Sequence, residues 1–399
     1  MMLVKMLVAL WVGSVLCVPD EPQEGLIHRL DSDVAPTAFE EVAPKEADLI
    51  LEIVRATGAQ MAQRYAKDEK VLRNQHAKSH GCVAARFTVL HDIPQQYRVG
   101  LFSEPKSYDA IVRFSNASSR VGPDSRESPE GVQIHGSRGM AIKVLGVSGE
   151  SILPLHGALT QDFVMINSPV FAFANVEDYA LLSKSIAEHG DEKGPAMFFA
   201  ARQTPDTTPE QLERAKLTGE IAARIQSSGN PPPFQKPPAH PVQNKYFGAA
   251  PFLFGPNHAM RYRVTPIGEG FAEAIDVSKD DYLRDGLSER LGAGKTIRFV
   301  FEAQIRSKEE ITDIGQQIEN ACLDWETEGE ASCWIRLADL EITASKPLDE
   351  AVCESLIFTP WHCLREHQPL GSINRLRKAV YQASAMIRST PKEPTVLPE

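Results

Sequence analysis

Apolar and polar positions follow two different rhythms along this chain. Over residues 46–63, "EADLILEIVRATGAQMAQ" repeats its apolar residues at intervals of three and four, which predicts an amphipathic helix. From about Cys82 the period shortens. "VAARFTVL", "AIVRFSNAS", "GMAIKVLGV" and "DFVMINSPVFAF" are short, β-branched and aromatic, and Gly, Pro, Ser and Asp separate them. That pattern predicts an antiparallel sheet or barrel. Helical spacing returns in "VEDYALLSKSIAEHG" and in "TPEQLERAKLTGEIAARIQSSG". Residues 230–243, "NPPPFQKPPAHPVQ", read as an extended proline-rich connector on the surface. More strand-like text follows in "AMRYRVTPIG", "KTIRFVFEAQIR" and "CWIRLADLEITA", and a last helix is predicted over residues 370–388. Strands on both sides of the connector make it an excursion within one barrel. The expected class is α+β: one domain over residues 25–390, an antiparallel β-barrel with flanking and inserted helices, then a tail of residues 391–399.

Composition narrows the partners. The chain has 399 residues, 42% of them hydrophobic, enough for a sizeable core, and a formal net charge of −11. A surface of that sign repels phosphate backbones, so no nucleic-acid partner is expected. Basic residues that matter should be local exceptions set against something anionic. Residues 1–18, "MMLVKMLVALWVGSVLCV", place an apolar run after one lysine, too short for a membrane span and suited to a signal-peptide core. That reading implies export; a plain N-terminal helix on a cytoplasmic protein is the alternative. No other apolar run is long enough to cross a bilayer, so no stable membrane span is expected.

Six cysteines are present and none has C-x-x-C spacing, which gives no zinc-ribbon or thioredoxin-type site. In an exported chain Cys322 could pair with Cys333, or Cys353 with Cys363. "QHAKSHG" sets His76 and His80 four residues apart. On a helix the two rings would aim at one point and could hold a transition metal, yet no carboxylate or cysteine nearby completes a ligand set. The spacing alone does not choose between a metal pair, a general base and two ordinary histidines.

The order of motifs is more specific than any one of them. "HAKSHG", "VRFSNAS", "SRGMAIKV", "INSPVFAF" and the late "RKAVY" together resemble the haem-dependent catalase-like family, over roughly residues 70 to 390. The resemblance implies a barrel of the catalase type, haem b with its iron as cofactor, a small-molecule peroxide as substrate, and a chain that could form a homo-oligomer. It makes Tyr381 the axial iron ligand. Tyrosine ordinarily loses its proton near pH 10, and Arg377, one helical turn earlier, would favour the phenolate. Arg73, Arg113 and Arg388 resemble the family's propionate binders, and the planar guanidinium fork suits a carboxylate.

His76 matches the family's distal histidine, the acid and base for peroxide, with Ser115 orienting its ring and Asn167 steadying the peroxide. His80 is then a bystander. Arg138 has a structural role near the barrel floor. His362 and His367 could meet the haem edge or serve packing. Arg375 lacks the four-residue offset from Tyr381 that Arg377 has. Phe171, Phe173 and Tyr179 are candidates for a ring stacked on the haem. Gln75 stands where large catalases carry a valine, which keeps a fatty-acid hydroperoxide substrate open. A haem or lipid carrier without turnover is a third reading, but a carrier has no need of a distal base.

Overall fold

The structure is a computed structural model and describes residues 34–67, 70–119, 121–127, 133–153, 159–199, 240–268, 276–313, 318–325, 334–388, 394 and 396–398. The expected helix over residues 208–229, the apolar run 1–18 and Cys333 lie outside the described residues.

The chain opens with α1 (Glu46–Arg64), then β1 (Ser79–Val89), β2 (Ser107–Asn116), a short pair β3 (Ser125–Glu127) and β4 (Gln133–His135), β5 (Arg138–Leu145) and β6 (Thr160–Ile166). Next come α2 (Val176–Phe199), β7 (Tyr246–Phe247), β8 (Phe252–Leu253), β9 (His258–Ile267), α3 (Tyr282–Gly292) and β10 (Ile297–Ser307). The last elements are α4 (Lys308–Asp313), β11 (Trp334–Ile342), α5 (Glu350–Ser355) and α6 (Ser372–Ile387). The main sheet runs β10-β11-β1-β2-β5-β6-β7-β9-β8, and an additional β10–β9 pairing closes eight of these strands into an antiparallel barrel. Closure removes the open edges that would otherwise invite association. β6 and β7, on either side of the proline-rich connector, are neighbours in the barrel.

Strand side chains alternate between the two faces of the wall. Val112, Phe114, Met140, Ile142, Phe163 and Met165 point inward and fill the barrel. Phe163, Phe301 and Tyr262 pack there with ring centroids 4.6 to 5.6 Å apart. The outer positions of the same strands are also covered, so every residue of β5 is buried. This is why the strand reads as a nearly continuous apolar run. Lys143 is the exception: it pairs across the strands with Asp162, Nζ lying 2.9 and 2.8 Å from the two carboxylate oxygens, with neither side chain exposed. Asp162 also accepts from the backbone N–H of Thr359, tying the chain before α6 to the wall.

Three elements depart from the pattern read in the sequence. α2 continues past Gly190, which takes a left-handed φ of 80° and kinks it. α3 is a helix although Gly286 sits inside it, where a glycine costs about 1 kcal/mol relative to alanine; Leu283, Leu287 and Leu291 bury one face and outweigh that cost. Residues 71–78 are irregular, so His76 and His80 share no helix face. The expected Cys353–Cys363 pairing is also corrected, while the alternative Cys322–Cys333 pairing falls on Cys333, outside the described residues. Cys353 is bonded to Cys82, and Cys363 is a buried free thiol.

Replacing one member of a buried ion pair strands the other charge. Lys143→Met should therefore lower unfolding stability by about 3–5 kcal/mol, measured by urea denaturation. A loss within the range of ordinary surface substitutions would show that Asp162 finds other compensation.

Candidate functional site

The outward positions of β2, β5 and β6 form a wall of unusually small residues. Ser115 stands opposite Gly139, Arg113 opposite Ala141, and Ala141 opposite Val164. A Cβ built on Gly139 would lie 2.3 Å from His76 Nδ1 and 2.8 Å from Ser115 Oγ. Glycine is thus the residue that lets the His76 ring lie against the wall. His76 itself has a left-handed φ of 58°, uncommon for a side chain with a Cβ. Two bonds hold that backbone: its N–H donates to the Ala117 carbonyl at 3.3 Å, and Arg113 Nη2 donates to its carbonyl at 3.0 Å. Ser115 Oγ is 3.0 Å from Nδ1, which leaves Nε2 as the nitrogen for other chemistry.

Tyr381 packs against the cluster on the same outer wall that includes Ala141 and Val164. The Arg377 guanidinium sits 5.6 Å from the centre of its ring. Arg377 is fixed in turn by donating to Asn374 Oδ1 at 3.0 Å and to the Val164 carbonyl at 3.3 Å. Both residues belong to α6, as the four-residue spacing anticipated. Arg375 points elsewhere, to Glu40, Glu46 and Glu319.

The three remaining arginines gather round one carboxylate that the sequence did not single out. Arg73 and Arg113 each bond a different oxygen of Glu354, and Arg388 donates to the Glu354 backbone carbonyl at 2.8 Å. Burial, then the Arg113 and Arg388 charges, hold the Arg73 guanidinium well below its ordinary pKa. Burial alone would raise the Glu354 carboxyl, but Arg113 and Arg73 bring it below the usual carboxylate range. Among the described residues the buried Nε of Arg113 has no hydrogen-bond partner. No local sequence signal marked Glu354; it lies in the short helix "EAVCES" and acquires its role only through Arg73 and Arg113, more than 200 residues away.

The same cations reach His76. Loss of solvation, then Arg113, Arg377 and Arg73, pushes its pKa down to about 3. His80 is likewise pushed down to about 3, by burial first and then by Arg138 and Lys78, although it bonds Asn116 at 3.0 Å and lies 3.8 Å from Asp124. It takes no part in a shared metal site with His76, and no group of three metal-ligating side chains occurs among the described residues.

Asn167 is placed less directly than expected. Its Oδ1 accepts from the Arg138 backbone N–H at 2.9 Å, so it meets the site through the chain just before Gly139. Arg138 donates to the Asp124 carbonyl and to Tyr282, away from the arginine cluster. His362 neighbours Asp162 at 3.4 Å, and His367 Nε2 accepts from the Leu101 N–H at 3.1 Å between Phe102 and Phe254; both are bound into the packing. Phe171, Phe173 and Tyr179 form one cluster, with Phe173 edge-on to Tyr179 at 5.2 Å. Gln75, next to His76, is exposed. A cavity of about 290 Å³ lined by His240, Tyr282 and Asp285 contains none of the candidate residues.

No family model and no curated protein matches the chain. Solved structures do. Catalase A from Saccharomyces cerevisiae is similar at a TM-score of 0.57 and 15% identity, covering 90% of this chain and 68% of its own. A bacterial catalase gives 0.55, 15%, 90% and 63%, and a fungal catalase 0.57, 15%, 90% and 66%. The fold is therefore the catalase-type barrel, and the chain spans about two thirds of the length of these proteins.

His76 and His80 are neutral in the fold and bind a proton near pH 6.5 once unfolded. The unfolded state thus holds more protons between pH 6.5 and about 3, and stability falls as pH drops through that window. Urea denaturation from pH 7 to 4 should show this loss. His76→Gln should flatten the slope by up to roughly 1.4 kcal/mol per pH unit, and an unchanged slope would mean that His76 is not neutral there.

Proposed function

We propose that this chain is a haem-dependent oxidoreductase acting on hydrogen peroxide or organic hydroperoxides. The observation that carries the reading is that His76–Ser115 and Arg377–Tyr381 pack on one outer wall, beside a buried arginine cluster. The donor set suits haem. Tyr381 supplies a phenol oxygen with a cation over its ring, and Arg73, Arg113 and Arg388 supply guanidinium donors for two propionates. The partnerless Nε of Arg113 and the mutual depression of the arginines fit a pocket that gains from added negative charge.

Haem, when bound, supplies redox-active iron for peroxide chemistry. The chain's own part is acid–base work and positioning. His76 takes a proton from the peroxide at Nε2 while Ser115 holds Nδ1. Two propionates would cancel the cations that depress His76 and raise its proton affinity toward the working range. Asn167 steadies the strand end beneath the ring through Arg138. The His76–Ser115 pair favours an enzyme over a passive haem or lipid carrier, because a carrier has no use for an oriented base. Export, by the apolar run at residues 1–18, and self-association into an oligomer are part of the same proposal. Among the described residues no helix is long and apolar enough to cross a membrane.

The test is haem titration followed by absorption spectroscopy and peroxide turnover. Wild type should give a high-spin ferric spectrum and consume hydrogen peroxide or a fatty-acid hydroperoxide. His76→Ala should keep the spectrum and lose turnover by about 100-fold or more. Tyr381→Phe should lose or loosen haem. If Tyr381→Phe binds haem with an unchanged spectrum, the axial assignment is wrong.

A further inference from the structure

Cys82 and Cys353, separated by 271 residues in sequence, are joined in a buried disulfide. Its neighbours give it a second meaning. Cys82 pairs across β1 and β2 with Arg113, and Cys353 immediately precedes Glu354, the carboxylate that Arg113 and Arg73 share. Two successive residues of α5 therefore grip two cross-strand partners on the barrel wall, one by a covalent bond and the other by an ion pair. Arg73 adds donated bonds to the carbonyls of Cys353 at 3.4 Å and Leu356 at 2.7 Å. Leu348, just before the helix, donates its N–H to the Cys82 carbonyl at 2.8 Å.

α5 has only six residues, too few for a helix to be stable on its own. Its outer side carries exposed Glu350, paired with Lys70 at 3.0 Å and Arg284 at 3.5 Å, contacts of little worth in water. The disulfide and the Glu354 carboxylate are thus the covalent and ionic ties among the contacts that fix this segment to the wall. Ala351 is exposed and Val352 partly so, which means that opening the short helix uncovers the sulfurs.

We propose that the Cys82–Cys353 bridge is a redox lock on the arginine cluster. Oxidised, it holds Glu354 between Arg73 and Arg113 and keeps the guanidinium groups assembled for a dianionic cofactor. Reduced, α5 and Glu354 come loose, the arginines separate under their own repulsion, and the hold on the cofactor weakens. A dithiol suffices as reductant: the protein S–S bond breaks, the two sulfurs of the dithiol bond to each other, and its two protons pass to the Cys82 and Cys353 sulfurs. The cofactor part rests on the haem-binding reading above; the loosening of Arg73 and Glu354 does not.

The experiment compares the oxidised full chain with the same chain treated with dithiothreitol, reduction being confirmed by two additional thiols in a denatured count. Hydrogen exchange should rise on reduction in the peptides holding residues 71–78 and 350–356, with the barrel interior unchanged. Haem transfer to an excess of a scavenging apoglobin should become about tenfold faster, equivalent to roughly 1.4 kcal/mol. A Cys82→Ala/Cys353→Val variant should match the reduced protein and ignore the reductant. Unchanged exchange at residues 71–78 in the reduced wild type overturns the lock, as does an unchanged haem transfer rate. Increased exchange in a chain that binds no haem at all keeps the lock on the arginines and overturns the haem-binding reading instead.

Discussion

Guanidinium groups brought together inside a fold repel one another, and their places on the outer wall depend on balancing that repulsion. Glu354 provides the balance. Each of its oxygens takes one arginine, Arg73 from the loop before β1 and Arg113 from β2, and its own carbonyl takes Arg388 from the end of α6. Three distant parts of the chain converge on six residues of α5. Arg113 then extends the arrangement, because the same guanidinium that bonds Glu354 also bonds the His76 carbonyl. The backbone of His76 is thus fixed by the same guanidinium that holds Glu354, and a shift of one disturbs the other.

The barrel supplies a rigid backing for this arrangement. With β5 buried on both faces, every polar group on its outer side must be paired. Lys143 meets Asp162, whose carboxylate also takes the Thr359 N–H and so fixes the approach to α6. Where no pairing is needed the wall is kept small: Gly139 and Ala141 make room for the His76 ring and for Tyr381. A wall filled with the branched residues usual in strands would leave no space for either.

Much of this was legible because periodicity and local offsets survive folding. The apolar alternation of "AIVRFSNAS" and "GMAIKVLGV" marked β2 and β5, and the four-residue step from Arg377 to Tyr381 is a property of any helix. The unread features are non-local. Glu354 is one acid among many until Arg73 and Arg113 surround it, and Cys82–Cys353 cannot be inferred from spacing when 271 residues intervene. The helical setting assumed for His76 failed for a local reason: its left-handed φ, stabilised by Arg113 and Ala117, ends any helix at that residue. The hydrogen bond that Asn167 Oδ1 accepts from the Arg138 N–H is likewise non-local and could not be read from its motif.

The electrostatics of the site tie its parts into a sequence of dependence. His76 is a poor base as it stands, with its pKa pushed down to about 3, because it has lost much of its solvation and Arg113, Arg377 and Arg73 all oppose a further positive charge. Removing the arginines would relieve only their share of that depression, because burial is its largest cause, and would dissolve the cluster. Anions added to the cluster would relieve the same share while leaving it assembled. On the proposed function, a dianionic cofactor at the cluster would shift the His76–Ser115 pair toward proton transfer nearer neutral pH. That coupling explains why an oriented histidine stands beside so many cations, an arrangement that would otherwise only weaken it.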